Sequence, residues 1–115
     1  MIDYNKDMVS VLNTILPTHH ELTLHSGLST PCISYQELNN YATEQGDTLG
    51  YSSVSFQIKV WGNDLALLMK YAKEIDDKVR PLGFIRTSSG ELYDRASSMI
   101  QKILTYEATA LETFN

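Results

Sequence analysis

A chain of 115 residues, 43% hydrophobic and 20% charged, is long enough for one ordinary domain with one buried core, which excludes a second domain of useful size and wholesale disorder. Fourteen acids against nine Lys and Arg give a formal charge of −5. With no cluster of three or more cations along the chain, phosphate neutralisation is a poor expectation, and with it direct nucleic-acid binding.

The single cysteine, Cys32, rules out an intrachain disulfide and fits synthesis in a reducing cytoplasm. The N-terminal MIDYNKDMVSVLNTILP carries early acids and no long apolar run. It reads as neither a signal peptide nor a membrane anchor.

Met8, Leu12, Ile15 and Leu16 recur at helical spacing, which predicts an amphipathic helix over about Asp3–Leu16, with Asp3 as N-cap and Pro17 as its stop. Glu21–His25 alternates through Leu22 and Leu24 and predicts a short strand. Ser26–Pro31 is turn-rich. Cys32–Leu38 predicts a second strand with Ile33 and Tyr35 on one face; Leu38 breaks the alternation, so a bulge or the strand's end falls near Glu37. Asn39–Ser52 is almost free of aliphatic residues and reads as a long polar loop, expected to order on assembly.

Ser53–Trp61 has the clearest period of two: Val54, Phe56, Ile58 and Val60 on one face, Ser55, Gln57 and Lys59 on the other, with Trp61 on the wet face at the strand's end. That pattern belongs to an antiparallel sheet covered on one side. After Gly62, Asn63 or Asp64 caps a helix to about Arg80. Leu65, Leu68, Met69, Ala72, Ile75, Asp76 and Val79 form its stripe, and all but Asp76 suit a buried face. Pro81 and Gly83 end it. Phe84–Thr87 predicts a short strand and Ser88–Ser98 a polar connection. In Ile100–Ala110, Ile100, Lys102, Leu104, Tyr106 and Ala108 alternate with their neighbours as in a strand, although the composition also suits a helix. The expected class is α+β: a mostly antiparallel sheet with helices on one face, in the order α-β-β-β-α-β-β, forming one domain over residues 1–115.

No constellation stands out for catalysis. His19, His20 and His25 are close in sequence, but adjacent strand residues point to opposite faces and no Cys pair or HExxH completes a metal site. Cys32 has no neighbouring base and reads as a small buried hydrophobe. Asp76 and Asp77 lie among Lys73, Lys78 and Arg80, where surface ion pairing is expected. Glu44 and Asp47 share the polar loop, a poor platform for acid–base geometry. Neither a phosphate loop nor a GxSxG elbow is present. The expectation is a non-enzyme with no cofactor and no metal. Tyr41, Tyr51, Trp61 and Tyr93 lie in or beside predicted loops, where such aromatics either anchor an interface or cap the ends of a core. With nearby charges, the candidate interface is Tyr41, Glu44, Asp47, Tyr51, Trp61, Arg86, Tyr93 and Arg95.

VSFQIKVWGND, followed by the amphipathic helix to Pro81–Leu82–Gly83–Phe84, is similar to the middle of phage tail terminator and tail completion (head–tail joining) proteins. CISYQEL resembles the family's proline, two apolar residues and a tyrosine, and KILTYEATAL its closing strand. The resemblance spans nearly the whole chain and rests on element order and alternation. It implies a ring, typically of six subunits, at the head-proximal end of a finished tail tube in the virion neck. Such a ring stops tube polymerisation and meets the head–tail connector protein. Its implied partners are copies of itself, the tail tube protein and the connector, with DNA passing through the lumen unbound and no membrane involved. The rival expectation is a monomeric acidic protein-binding module of adaptor or immunity type.

Overall fold

A computed structural model of the protein describes residues 1–25, 27–45 and 49–113, with the backbone alone at 44, 45, 49 and 111–113. The elements are helix α1 (Asn5–Leu12), strands β1 (Thr18–His20), β2 (Cys32–Gln45) and β3 (Leu49–Gly62), helix α2 (Leu65–Val79), and strands β4 (Ile85–Asp94) and β5 (Met99–Thr113). The class is α+β in the expected order. The sheet has five strands in the order β1-β2-β3-β5-β4. Every pairing is antiparallel except the short parallel contact of β1 with β2.

The period-2 pattern of β3 builds the core. Val54, Phe56, Ile58 and Val60 are fully buried, and their register partners Leu104, Tyr106 and Ala108 on β5 are buried with them. Met8 and Leu12 of α1 and Leu68, Ala72, Ile75 and Val79 of α2 complete the same cluster, so both helices lie on one face of the sheet. Ring edges interlock there: Phe84 meets Tyr4 at 5.0 Å and Phe56 at 5.6 Å between centroids, both near perpendicular, the favoured aromatic geometry.

Helix α2 begins where Asp64 accepts hydrogen bonds from the backbone N–H groups of Ala66 and Leu67, which satisfies two of the donors a helix leaves open. It closes through a 3-10 turn, Arg80–Leu82, and Gly83 at φ 98°, a conformation that costs glycine little. Of its predicted stripe, Leu65 is exposed and Met69 only half-buried.

The molecule is elongated. Its radius of gyration is 15.5 Å and its long axis 52 Å, against roughly 13 Å expected of a compact chain this size. The cause is β3 and β5, of 14 and 15 residues; at about 3.3 Å per residue each runs over 45 Å.

Several sequence expectations shift. Asn39–Ser52 is not a long loop: Asn39–Gln45 and Leu49–Ser52 are strand, paired from Asn39↔Ser55 to Gln45↔Leu49. Their polar side chains hid them, because the ladder there needs no aliphatic face; β3 is hydrogen-bonded on both sides, by β2 and by β5. Of the two outcomes open near Glu37, a bulge or the strand's end, the ladder takes the bulge, between Glu37 and Asn39, and β2 runs on past it.

The first strand is Thr18–His20 rather than Glu21–His25; Glu21–Thr23 is a 3-10 turn opened by His20 Nδ1, which accepts from the backbone N–H of Leu22. Helix α1 stops at Leu12, short of Leu16. Thr14 caps a carbonyl of the last turn and Asn13 accepts from the N–H of Thr18, so the chain bends before Pro17. The helix has no side-chain cap: Asp3 accepts instead from the N–H and the side chain of Asn5. The backbone N–H first, then the amide, hold its carboxyl below the usual carboxylate range.

Most of Ser88–Ser98 is also strand. β4 extends to Asp94, whose carboxylate accepts from the N–H of Ala96 and the hydroxyl of Ser97 and so shapes a four-residue turn to β5; Ser98 completes it at φ 57°. Of the two states open to the final segment, β5 takes strand.

Candidate interface surfaces

Three places in the fold could carry function: the floor of the sheet face opposite the helices, a polar network at the end of α2, and the two sheet edges.

On the face opposite the helices, Leu24, His25, Leu28 and Thr30 lie beside Cys32, Trp61 and Met99, and the chain enters β2 through a cis Thr30–Pro31 bond. Beneath them lies a cavity of about 230 Å³ walled by Leu24, Leu28, Cys32, Trp61 and Met99, with His25 at its side. Trp61 donates from Nε1 to Ser34 Oγ at 2.8 Å, and Lys59 Nζ stands 5.7 Å from its ring centroid. Lys59 also pairs with Glu21 at 2.8 Å. Trp61 is thus half-buried, lining one cavity with Leu24 and Leu28, instead of standing free on a wet face.

Cys32 is buried, and burial pushes its thiol up. His20 and His25 each spend Nδ1 as an acceptor in a local turn. His19 and His20 take the opposite faces of Ser34 and Tyr35, and His20 packs edge-on to Tyr35 at 5.1 Å. Among the described residues no group of three or more His, Cys, Asp or Glu side chains converges as a metal site would.

Asp76, the misfit of the α2 stripe, is explained by its partners across the chain. Tyr106 Oη donates to Asp76 Oδ1 at 2.5 Å, and Arg86 Nε faces both carboxylate oxygens at 3.1 and 3.2 Å. Neighbouring Lys73, Lys78 and Arg80 do not supply this pair, contrary to the sequence expectation; β4 does. Burial, and then the bond to Asp76 and its charge, push the Tyr106 hydroxyl well above the ordinary tyrosine range, with Arg86 opposing. A second cation is absorbed likewise: Lys102 is buried, 3.0 Å from Glu91 and 3.2 Å from Ser89.

The remaining interface candidates do not converge on one patch. Tyr41 and Tyr51 are exposed and share the face opposite the helices, on the projecting part of the sheet, by the register Tyr41↔Ser53 and Thr43↔Tyr51. Glu44 lies on β2 opposite Gly50; Asp47 falls outside the described residues. Tyr93 is exposed on β4, and Arg95 occupies the β4–β5 turn. Trp61 is at the other end of the sheet from Tyr41.

What the sequence did not show is which strands form the sheet edges. All of β4 except Asp94 is exposed, including Ile85 at 73%, Leu92 at 59% and Tyr93 at 61%. At the opposite edge β1 covers only Ile33–Tyr35 of β2, and among the described residues no strand pairs with the outer side of Gln36–Gln45. Neither stretch contains Pro or Lys, two residues that commonly guard an edge.

Charge is unevenly distributed along the sequence. Residues 37–58 and 103–115 hold Glu37, Glu44, Asp47, Glu107 and Glu112 and no Lys or Arg, so the full net charge of −5 resides there and the rest is balanced. No helix among the described residues is long and apolar enough to cross a membrane. No family model matches this chain, and no curated protein matches it significantly.

Proposed function

We propose that this protein is a structural, non-enzymatic subunit that assembles head to tail with copies of itself into a closed ring. The supporting observation is the pair of sheet edges, on β2 and β4, that each keep an unpaired regular run among the described residues. A heterologous contact uses two different surfaces of the same molecule and closes into a ring when its rotation allows, and two open edges are such surfaces.

With the resemblance of VSFQIKVWGND and the following helix to tail terminator proteins, the ring's place is the head-proximal end of a phage tail tube, in the virion neck. There it would stop tube growth and present a surface to the connector. Six copies would carry about −30 in charge, which favours sliding of DNA through a lumen over retention. No cofactor is required.

The acidic net charge also supports the rival, a monomeric module that engages a basic partner. Sedimentation velocity and electron microscopy of the purified protein up to millimolar concentration separate the two. Rings, or an equilibrium climbing towards them with concentration, support assembly; a monomer throughout removes it. Negative-stain images with isolated tail tubes then test the location: density capping one tube end is expected.

A further inference from the structure

We infer that the subunit contact is a continued β-sheet in which Ser88–Asp94 of one copy pairs antiparallel with Asn39–Gln45 of the next, placing Leu92 beside Tyr41. This rests on the self-assembly proposed above and specifies which surfaces meet and in what register.

Three independent features lead there. The first is strand sense. β2 is antiparallel to β3, β3 to β5 and β5 to β4, so the two edges of one chain run in opposite directions. Copies related by rotation therefore present an antiparallel pair at every junction, and the sheet continues without a change of pattern.

The second is length and obstruction. β1 blocks the edge of β2 at Ile33–Tyr35, and a bulge follows between Glu37 and Asn39. β4 carries its own bulge between Arg86 and Ser88. Beyond the bulges each edge keeps one regular run of seven residues, Asn39–Gln45 and Ser88–Asp94.

The third is face matching. In full antiparallel overlap of these runs, Asn40 meets Tyr93 and Ala42 meets Glu91, and all four occupy helix-side register positions, opposite Val54, Ile100, Ser52 and Lys102. Tyr41 meets Leu92 and Thr43 meets Gly90 on the other face, opposite Ser53, Gln101, Tyr51 and Ile103. A shift of one residue would mismatch every pair, since side chains alternate with a period of two. Tyr41 and Leu92 are 55% and 59% exposed in the single chain, and the junction makes them cross-strand neighbours, a stabilising aromatic–aliphatic pair. Successive copies are then offset along the strands, as the tilt of strands in a closed sheet requires.

The test is disulfide capture on the full chain carrying Thr43→Cys and Gly90→Cys. A Cβ at Gly90 meets nothing within 4 Å, Thr43 is exposed, and native Cys32 is buried. Directly opposed strand residues lie about 4.5–5.5 Å apart at Cα, within disulfide reach. Mild oxidation is expected to give a ladder of cross-linked chains on non-reducing gels. The control pair Asn39→Cys with Gly90→Cys is about 13 Å out of register at four residues' distance and is expected to give no ladder.

Independently, Leu92→Lys is expected to raise the self-association constant for dissociation at least tenfold while circular dichroism stays native. Assembly without the ladder, or with equal ladders from both pairs, overturns this register and leaves self-assembly standing. A wild-type chain that stays monomeric at millimolar concentration overturns both.

Discussion

The Tyr106 hydroxyl donates to Asp76 across 2.5 Å, joining the last strand to the last turn of helix α2, and Arg86 closes the contact from β4. Three elements that meet only in the folded chain are fastened by one carboxylate. A charge-assisted hydrogen bond of this kind contributes roughly 1.5–3 kcal/mol.

Tyr106→Phe is therefore expected to cost about 1.5 kcal/mol, the low end of that range, because Asp76 keeps Arg86. The pH dependence carries a sharper test. The folded-state value of Tyr106 lies above its ordinary value of 10.0, so the stabilisation is complete below the unfolded value and is lost as pH rises beyond it. Between pH 10 and 11 the unfolded chain ionises this hydroxyl while the folded one keeps its proton, and stability falls by up to about 1.4 kcal/mol per pH unit. Urea midpoints from pH 9 to 11 should show that slope in the wild type and a smaller one in Tyr106→Phe; equal slopes would discount the tyrosine.

Phe56 sits at the centre of the core, fully buried against Phe84. Phe56→Ala is expected to cost about 3–5 kcal/mol, a large share of the roughly 5–15 kcal/mol that holds a domain together. Urea or thermal unfolding measures it. A loss below 1 kcal/mol would mean that the helices do not pack on this face of β3.

Gly83→Ala isolates backbone strain from packing. A Cβ there meets nothing within 4 Å, yet φ is 98°, so the expected loss of about 1 kcal/mol comes from the left-handed backbone alone. Gly90→Ala, equally open but without positive φ, should change little, and a comparable loss at both sites would contradict this assignment.

Cys32 should react slowly with a thiol reagent in the native protein and at the rate of a free thiol once unfolded. It is buried at the floor of the cavity, and burial raises its thiol, which lowers the reactive thiolate fraction. Fast native labelling would show that residues 24–31 open readily.

How much of this was legible in the chain itself differs from element to element. β3 could be read from Val54, Phe56, Ile58 and Val60 because one buried and one wet face impose a period of two. Helix α2 showed its stripe, its Asp64 cap and its Gly83 stop. Asn39–Ser52 reads as a loop because its strands carry no aliphatic row and are held by backbone pairing to their neighbours. Asp76 stood out as an unsuitable residue on a buried stripe, but Tyr106 and Arg86, thirty and ten positions away, could not be named as its partners.

The alternation of β3 and the Asp64 cap and Gly83 stop of α2 are local, and the sequence alone determined them, with the α+β class and its element order; near Glu37 it left open a bulge or the strand's end. Which strands stand at the rim is not local. It depends on the order β1-β2-β3-β5-β4, the outcome of long-range pairings among segments whose patterns resemble one another. Only the tertiary structure therefore decided that β4 and the outer run of β2 are bare and that they run in opposite directions.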